Sequence, residues 1–160
     1  MTTARSAGSA ARTESTGSAA QATGSAAQAW RAMRTLVFDL HDRRAQVSEA
    51  LDLSFIRAKA LTRLVTGPLT MRELAGRLAI DPPYTTVVVD DLERRGLVRR
   101  STSTDDRRVK IVTITEAGAQ AAGIVDEILS EPPPMLAALD AAELAQLNQI
   151  LSRLITATLD

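Results

Sequence analysis

The fold of this chain is decided by the segment Leu69–Ile114, which reads LTMRELAGRLAIDPPYTTVVVDDLERRGLVRRSTSTDDRRVKIVTI. Near its start, Thr70 and Glu73 have the spacing of a capping box, in which each side chain accepts a hydrogen bond from the other residue's backbone amide. Such a pair marks the beginning of a helix. We therefore predict that a short helix begins at Met71.

A second helix is predicted directly after the first. Asp81 is a good N-cap residue, and Pro82 suits the first helical position because the amide that proline lacks has no partner there. The helix should end at Gly96, since glycine readily adopts the left-handed conformation that closes helices. Arg94 and Arg95 in its last turn suit the negative end of the helix dipole.

Two strands are predicted after Gly96. Residues 97–103 (LVRRSTS) and 109–115 (VKIVTIT) alternate and contain β-branched side chains. The polar loop between them carries two acidic residues followed by two basic ones. A hairpin directly after two helices and a tight turn is typical of a wing, which can lie along a DNA backbone. The segment therefore predicts a winged helix-turn-helix.

The same residues resemble the winged helix-turn-helix of the MarR-type (multiple antibiotic resistance regulator) bacterial transcription regulators. The resemblance is carried by the runs LTMRELAGRL, DPPYTTVVVDDLERRGLVRR and DDRRVKIVTITEAG. Most specific are Asp106, Arg108, five further residues and then Ile114 and Thr115. They match the family's Asp-x-Arg-x5-Leu-Thr wing pattern with isoleucine in place of leucine. The similarity is continuous from about residue 53 to residue 118.

The resemblance implies a mainly α fold with a small β-hairpin wing (α+β) and a homodimer joined through its N- and C-terminal helices. It also implies that a small anionic or phenolic ligand binds between the dimer helices and the winged lobe and weakens DNA binding. No residue of this sequence identifies that ligand.

Composition excludes several other classes of protein. The 160 residues include no cysteine, one histidine and only 2% aromatic side chains. Disulfides and zinc fingers are therefore excluded, and stacking on single-stranded nucleic acid is disfavoured. We expect no enzyme, metal or cofactor, because the sequence has no glycine-rich phosphate loop and no paired carboxylates outside caps and wing.

Charge is distributed unevenly although the formal net charge is zero. Residues 57–110 contain 12 basic and 7 acidic side chains, whereas residues 111–160 contain 1 and 7. A local basic block is the electrostatic footprint expected of a protein that binds duplex DNA.

The chain divides into four predicted segments. Residues 1–29 form a low-complexity tail, which we interpret as disordered, with an alanine-driven helical extension as the alternative. Residues 30–52 form an N-terminal dimerisation helix, 53–118 the winged DNA-binding domain and 119–160 the C-terminal dimerisation helices. No signal peptide or membrane helix is evident, so we expect a cytoplasmic protein.

Apolar spacing predicts one long helix in the 30–52 segment. Its stripe consists of Trp30, Met33, Val37, Leu40, Val47 and Leu51. Arg44 interrupts the stripe, either as an arginine at its edge or as a charge for an anionic ligand or a partner subunit. His41 lies on the same predicted helix and is interpreted as a surface or interface residue, since one histidine makes no metal site.

The next helix is predicted from Ser54 as N-cap to Thr66. Its predicted buried face comprises Phe55, Ala58, Leu61 or Thr62, and Val65. On the opposite side lie Arg57, Lys59 and Arg63, either as a solvated face or as phosphate contacts.

Two further helices are predicted after the wing. Thr115 and Glu116 begin the first, which the prolines at 132–134 stop. Its apolar residues are Ala119, Ala122, Ile124, Val125, Ile128 and Leu129. Asp140 and Glu143 cap the second, which is leucine-rich and more apolar than a lone surface helix requires. We therefore predict that the terminal helices pack on a second copy.

Helical spacing places Thr85, Val88, Val89 and Leu92 inward on the second helix of the helix-turn-helix. The residues predicted to face outward are Pro83, Tyr84, Thr86, Val87, Asp90 and Arg94. Of these, all but Asp90 are candidate DNA contacts, because methyl groups can contact thymine and hydroxyls can bond base edges or phosphates. The family commonly has serine or threonine at the position of Pro83 and a basic or amide residue at that of Val87, which weakens a prediction of direct guanine reading.

In the wing, Arg107 and Arg108 are predicted to contact the minor groove or phosphates. Arg108 matches the family's wing arginine, and Asp106 is predicted to orient it. The alternative is a salt bridge with Asp105 or Asp106.

We therefore expect a homodimeric regulator, by preference a repressor, that binds an inverted-repeat DNA operator and is released by a small ligand. The alternative is a dimeric adaptor or ligand-binding protein that kept the winged fold and lost DNA binding, an idea motivated by the acidic Asp90 and Asp91.

Overall fold

The computed structural model describes residues 24–104 and 106–157, which form two compact units divided after Asp42. In the first unit, residues 24–34 are α-helical (α1), and the helix continues as a π-helix over Thr35–Leu40. Most of its apolar side chains, including Trp30 and Phe38, are exposed. Residues 24–29 thus follow the helical alternative for the tail, and residues 1–23 lie outside the described residues.

The prediction of one long helix over residues 30–52 is wrong. Helical structure ends at Leu40, and His41 has φ −136° and ψ 41°. A new helix, α2 (Arg44–Leu51), begins only after Arg43. The interruption has a local cause, because histidine and aspartate are weak helix formers and residues 41–46 offer only Ala45 as an apolar anchor. Arg44 is an exposed first residue of α2 rather than a member of a continuous stripe.

The second unit begins with α2 and contains five more helices and three strands among the described residues. They are α3 (Phe55–Leu64), β1 (Leu69–Thr70), α4 (Met71–Leu78), α5 (Pro82–Arg94), β2 (Val98–Thr102), β3 (Lys110–Ile114), α6 (Glu116–Ser130) and α7 (Ala141–Thr156). A 3₁₀ turn, Pro134–Ala138, precedes α7. The elements follow the predicted order, which is the α2–α3 turn, the helix-turn-helix, the wing and the two C-terminal helices.

Helix α3 has Ser54 as its N-cap residue, as predicted, but its buried face differs from the predicted one. Ala58, Ala60, Leu61 and Leu64 are buried. Val65, the C-cap residue of α3, is exposed although its backbone is still right-handed helical. The main core joins α3 to α4, α5, the sheet and α6 through buried side chains such as Leu61, Leu74 and Leu92.

The wing strands pair as predicted, and a third strand joins them. Strands β2 and β3 are antiparallel, with Arg100 opposite Val112 and Thr102 opposite Lys110. Strand β1, which the sequence did not predict, pairs with the other side of β3, so the sheet order is β1-β3-β2. With only two residues, β1 is too short to show an alternating pattern. Strand β1 joins the start of α4 to the base of the wing.

The helix caps are confirmed. The Glu73 amide donates to Thr70 Oγ1 at 3.1 Å, and the Thr70 amide donates to Glu73 Oε2 at 2.8 Å. Gly96 has φ +74°, the left-handed conformation expected after the end of α5.

Helices α6 and α7 leave much apolar surface uncovered in the single chain. In α6, Ala121, Ala122 and Val125 are buried, whereas Ala119 is exposed. Within Ala141–Thr156 no residue of α7 is buried, although the helix has the predicted capping box. No helix in the described residues is long and apolar enough to cross a membrane.

Candidate nucleic-acid interface

Helix α5 is held firmly by its inward face. Thr85, Val88, Val89 and Leu92 are all buried, as predicted. The Thr85 hydroxyl donates to the Asp81 carbonyl at 2.8 Å, so this buried polar group is satisfied. At the helix start, the Tyr84 amide donates to Asp81 Oδ1 at 2.7 Å. The inward face is thus buried along the helix and fixed by hydrogen bonds at its start, so the outward face has a defined orientation.

The residues predicted to contact DNA on α5 share that outward face. Pro83, Tyr84, Thr86, Val87 and Arg94 are all exposed. Val87 is 52% exposed and Tyr84 is 42% exposed, so neither is a core residue. The Thr86 hydroxyl donates to the Pro82 carbonyl at 3.2 Å, which leaves the lone pairs of its oxygen available as acceptors. The face therefore presents methyl groups and hydroxyls on a rigid helix.

The wing turn is fixed by its own backbone. The Arg108 amide donates to Asp106 Oδ1 at 2.9 Å, and the Val109 amide donates to the Asp106 carbonyl at 2.9 Å. The Asp106 carboxylate thus bonds to the backbone amide of Arg108, and within the described residues it forms no ion pair with the Arg108 guanidinium. The side chains of Arg107 and Arg108 are exposed, and neither forms an ion pair within residues 24–104 and 106–157.

A groove of about 570 Å³ separates α5 from the base of the wing. It is lined by Met71, Arg72, Pro82, Thr86, Arg100 and Lys110. Lys110 Nζ donates to Thr102 Oγ1 at 2.7 Å across the two wing strands. Sequence reasoning did not select Arg72, Arg100 or Lys110, because only the pairing of β3 with both β1 and β2 brings them around Thr86.

Arg100 links the wing to α5. Its Nε and Nη2 donate to Glu93 Oε2 at 2.8 and 2.6 Å, and its backbone amide donates to Glu93 Oε1 at 2.8 Å. These bonds lower the pKa of Glu93 and raise that of Arg100. Arg100 Nη1 also lies 2.6 Å from Asp90 Oδ1. Asp90, which suggested an acidic face unsuited to DNA, is therefore paired, although Arg100 shares its single positive charge between Asp90 and Glu93.

Asp91, the second acidic residue of that pair, is buried, with only 7% of its surface exposed. Arg57, Arg94 and Arg95 surround its carboxylate at 2.8 to 3.0 Å. Burial alone would raise the pKa of Asp91, but the three guanidinium groups, Arg57 and Arg95 foremost, hold it below its ordinary value. Arg57, predicted on a solvated face or at a phosphate, instead points inward to this carboxylate. A charge pattern on one helix cannot predict such a pairing, because Asp91 lies on another helix.

No group of three or more His, Asp or Glu side chains within the described part of the chain is arranged to hold a metal ion. His41 is half-buried at the end of the π-helix.

Comparison with known proteins identifies the same winged segment. A model of the MarR family matches residues 60–110, which run from α3 into β3. An uncharacterized HTH-type transcriptional regulator of Bacillus subtilis, YwhA, is 32% identical over 56 residues, which are 35% of this chain. The match spans only 40% of the length of YwhA.

Solved structures match over more of the chain. The transcriptional regulator BldR from Sulfolobus solfataricus is 30% identical, with a TM-score of 0.56 over 85% of this chain and 96% of BldR. Apo MarR from E. coli is 24% identical, with a TM-score of 0.61 over 68% and 82%. A mutant of S. aureus MepR bound to an oligodeoxyribonucleotide is 22% identical, with a TM-score of 0.59 over 80% and 96%. The fold is that of transcription regulators and not of enzymes, and the chain belongs to the MarR family.

Proposed function

We propose that this protein is a homodimeric transcriptional regulator that binds double-stranded DNA in a sequence-specific way. The observation that carries the proposal is the exposed Tyr84, Thr86 and Val87 face on a rigidly anchored helix, beside a wing that presents Arg107 and Arg108. The helix suits the major groove, and the wing suits an adjacent phosphate backbone or minor groove. We further propose that it acts in the cytoplasm as a repressor released by a small anionic or phenolic ligand.

Dimerisation is supported by apolar surface that the single chain leaves open. On α7, Leu154 and Ile155 are 51% and 64% exposed, and on α1 Trp30 is 59% exposed. Monomeric proteins rarely keep large contiguous apolar patches in water. A second copy is the simplest cover, since two-fold dimers are the commonest oligomers. A two-fold dimer would present two α5 helices to an inverted-repeat operator.

The alternative, an adaptor without DNA binding, depended on Asp90 and Asp91. Both carboxylates are paired with arginines, so they do not form a bare acidic face on α5. This pairing favours the DNA-binding proposal over the adaptor.

The test is equilibrium binding to a fluorescent duplex from the protein's own promoter region, beside a shuffled duplex of equal length and composition. We expect the promoter duplex to bind at least about a thousandfold more tightly, the lower end of specific recognition. Equal affinity for both duplexes would contradict the proposal of sequence-specific binding. No binding to either would support the adaptor.

Val87→Ala should reduce specificity and leave the electrostatics of binding unchanged. The substitution removes two exposed methyl groups and no charge. Preference for the operator over random DNA should fall by up to about 1 to 3 kcal/mol, the scale of one mismatched base pair. The slope of affinity against salt should stay the same. Equal losses on operator and random duplexes would exclude this helix as the reader of sequence.

A chain ending at Ser130 should lose the dimer. The truncation removes α7, whose exposed apolar face we assign to the subunit interface. The fragment is expected to sediment as a monomer or to become insoluble. An intact dimer of the fragment would show that α7 does not hold the subunits together.

A further inference from the structure

The carboxylate of Asp91 joins three structural elements in the second compact unit. Its Oδ2 lies 2.8 Å from Arg57 Nε on α3 and accepts from Arg95 Nε at 3.0 Å. Its Oδ1 lies 2.9 Å from Arg94 Nη2 at the exposed end of α5. Arg95 Nη1 in turn donates to Asp52 Oδ2 at 3.3 Å. We call Asp52, Arg57, Asp91, Arg94 and Arg95 the Asp91 cluster.

The cluster ends at the corner between α2 and α3. Asp52 closes α2 in a left-handed conformation with φ 50°. Arg57 Nη1 donates to Oγ of Ser54, the N-cap residue of α3, at 2.7 Å. Next to this corner, Val47 of α2, Ala58 of α3 and Val125 of α6 form a separate small core. The cluster thus connects the last turn of α5 to the part of the unit where α2, α3 and α6 pack together.

Removal of this one carboxylate would leave Arg57, whose side chain is only 22% exposed, without its neighbouring negative charge. Arg57 Nε is buried and makes no hydrogen bond of good geometry in the described residues, so the nearby Asp91 charge is its main compensation. An isolated buried charge is strongly unfavourable, whereas a paired one can be tolerated. Asp91 thus adds a charged contact between the last turn of α5 and the α2–α3 corner to the packing of the buried apolar face.

We propose that Asp91 is a positioning residue for DNA binding, which fixes the last turn of α5 on the α2–α3 corner and holds Arg94 at the exposed end of that helix. The proposal rests on the proposed function for its effect on DNA, but the fixing of α5 can be measured without DNA. A competing idea is that Asp91 only reduces the positive charge available to phosphates. The two ideas predict opposite changes in operator affinity on removal of the charge.

The first experiment is hydrogen exchange of the full-length protein without DNA. Asp91→Asn should accelerate exchange of the amides at 52–57 and 91–96 by about tenfold or more, because local opening becomes easier. Asp90→Asn is the matched control: it removes the same charge from the neighbouring position, while Arg100 keeps its bonds to Glu93. The control should change exchange in these segments by less than about twofold. Unchanged exchange in Asp91→Asn overturns the proposal.

The second experiment measures affinity for the promoter duplex and for the shuffled duplex. Asp91→Asn should bind the promoter duplex about tenfold more weakly and the shuffled duplex as well as or better than the wild type, because its charge is more positive. If Asp91→Asn binds both duplexes more tightly than the wild type, the positioning role is overturned and charge reduction is supported. If the wild type does not prefer its promoter, the proposed function fails, and hydrogen exchange still decides whether Asp91 fixes α5.

Two further variants test the proposal, and the second is for the case in which Asp91→Asn does not fold. Asp91→Glu keeps the charge and should restore at least half of the lost promoter preference on a logarithmic scale. If Asp91→Asn does not fold, Arg95→Gln breaks the link to Asp52 and leaves Arg57 and Arg94 on Asp91. It should accelerate exchange at 52–57 selectively, and unchanged exchange there overturns the proposal.

Discussion

Gly118→Ala is expected to lower the free energy of unfolding by about 3 kcal/mol or more, at the upper end of overpacking substitutions. A Cβ at this position would lie 2.0 Å from the Leu97 carbonyl oxygen and 2.8 Å from Ile114 Cγ1. The carbonyl cannot easily move, because it accepts the Thr115 amide at 3.1 Å where the strand enters α6. The clash would separate α6 from the base of the wing.

Chemical denaturation at one fixed protein concentration measures this effect. The matched control is Gly76→Ala in α4, where nothing lies within 4 Å of the added Cβ. Alanine should stabilise that helix by up to about 1 kcal/mol, because it loses less backbone freedom than glycine on folding. A Gly118→Ala protein as stable as the wild type would show that α6 and the Leu97 carbonyl are not in this close contact.

Replacement of the wing arginines should weaken binding to every duplex. Arg107 and Arg108 are exposed charges on a short turn, so each is suited to a phosphate contact. For Arg107→Ala or Arg108→Ala, the logarithmic slope of affinity against salt should flatten by about 1 unit per contact, or about two per dimer. If an arginine enters a narrow A/T minor groove, part of the loss will also depend on the flanking sequence.

A salt titration of both variants on operator and random duplexes checks this prediction. Arg153→Ala removes the same charge from an exposed site on α7 and serves as the control once sedimentation has shown that this variant is the same dimer as the wild type. Its salt slope should equal that of the wild type. A wild-type slope for Arg107→Ala and Arg108→Ala would mean that the wing does not touch DNA.

Features governed by neighbouring residues could be predicted from the sequence. The capping box of Thr70 and Glu73, the Asp81 cap and the left-handed Gly96 each depend on backbone within a few residues. The inward face of α5 followed from helical spacing, because a helix of thirteen residues repeats its pattern several times. These local signals were enough to predict the winged helix-turn-helix.

Features governed by distant residues could not be predicted in this way. Asp91 stands next to Asp90 in the sequence, and only the packing of α3 shows that Asp91 is buried beside Arg57. Arg100 was one of several arginines on the predicted strands. Only the packing of β2 against α5 brings it to Glu93 and Asp90. The charge of a side chain does not show which partner it faces until the positions of the helices and strands are known.

The break after Leu40 shows a different limit. The apolar spacing on its two sides happens to be compatible with one helix, so periodicity alone could not detect the interruption. The only local signal was the weak helix propensity of His41 and Asp42. That preference is small compared with an apolar pattern that extends over more than twenty residues.

The exposed α7 has a consequence for how the protein responds to dilution. A helix that buries no residue within its own chain gains most of its packing on association, so in the proposed dimer the packing of α7 and assembly are linked. Each tenfold fall in subunit concentration then weakens the dimer by about 1.4 kcal/mol relative to its separated subunits. The abundance of the protein would set how much of α7 is packed as well as how many DNA sites the protein occupies.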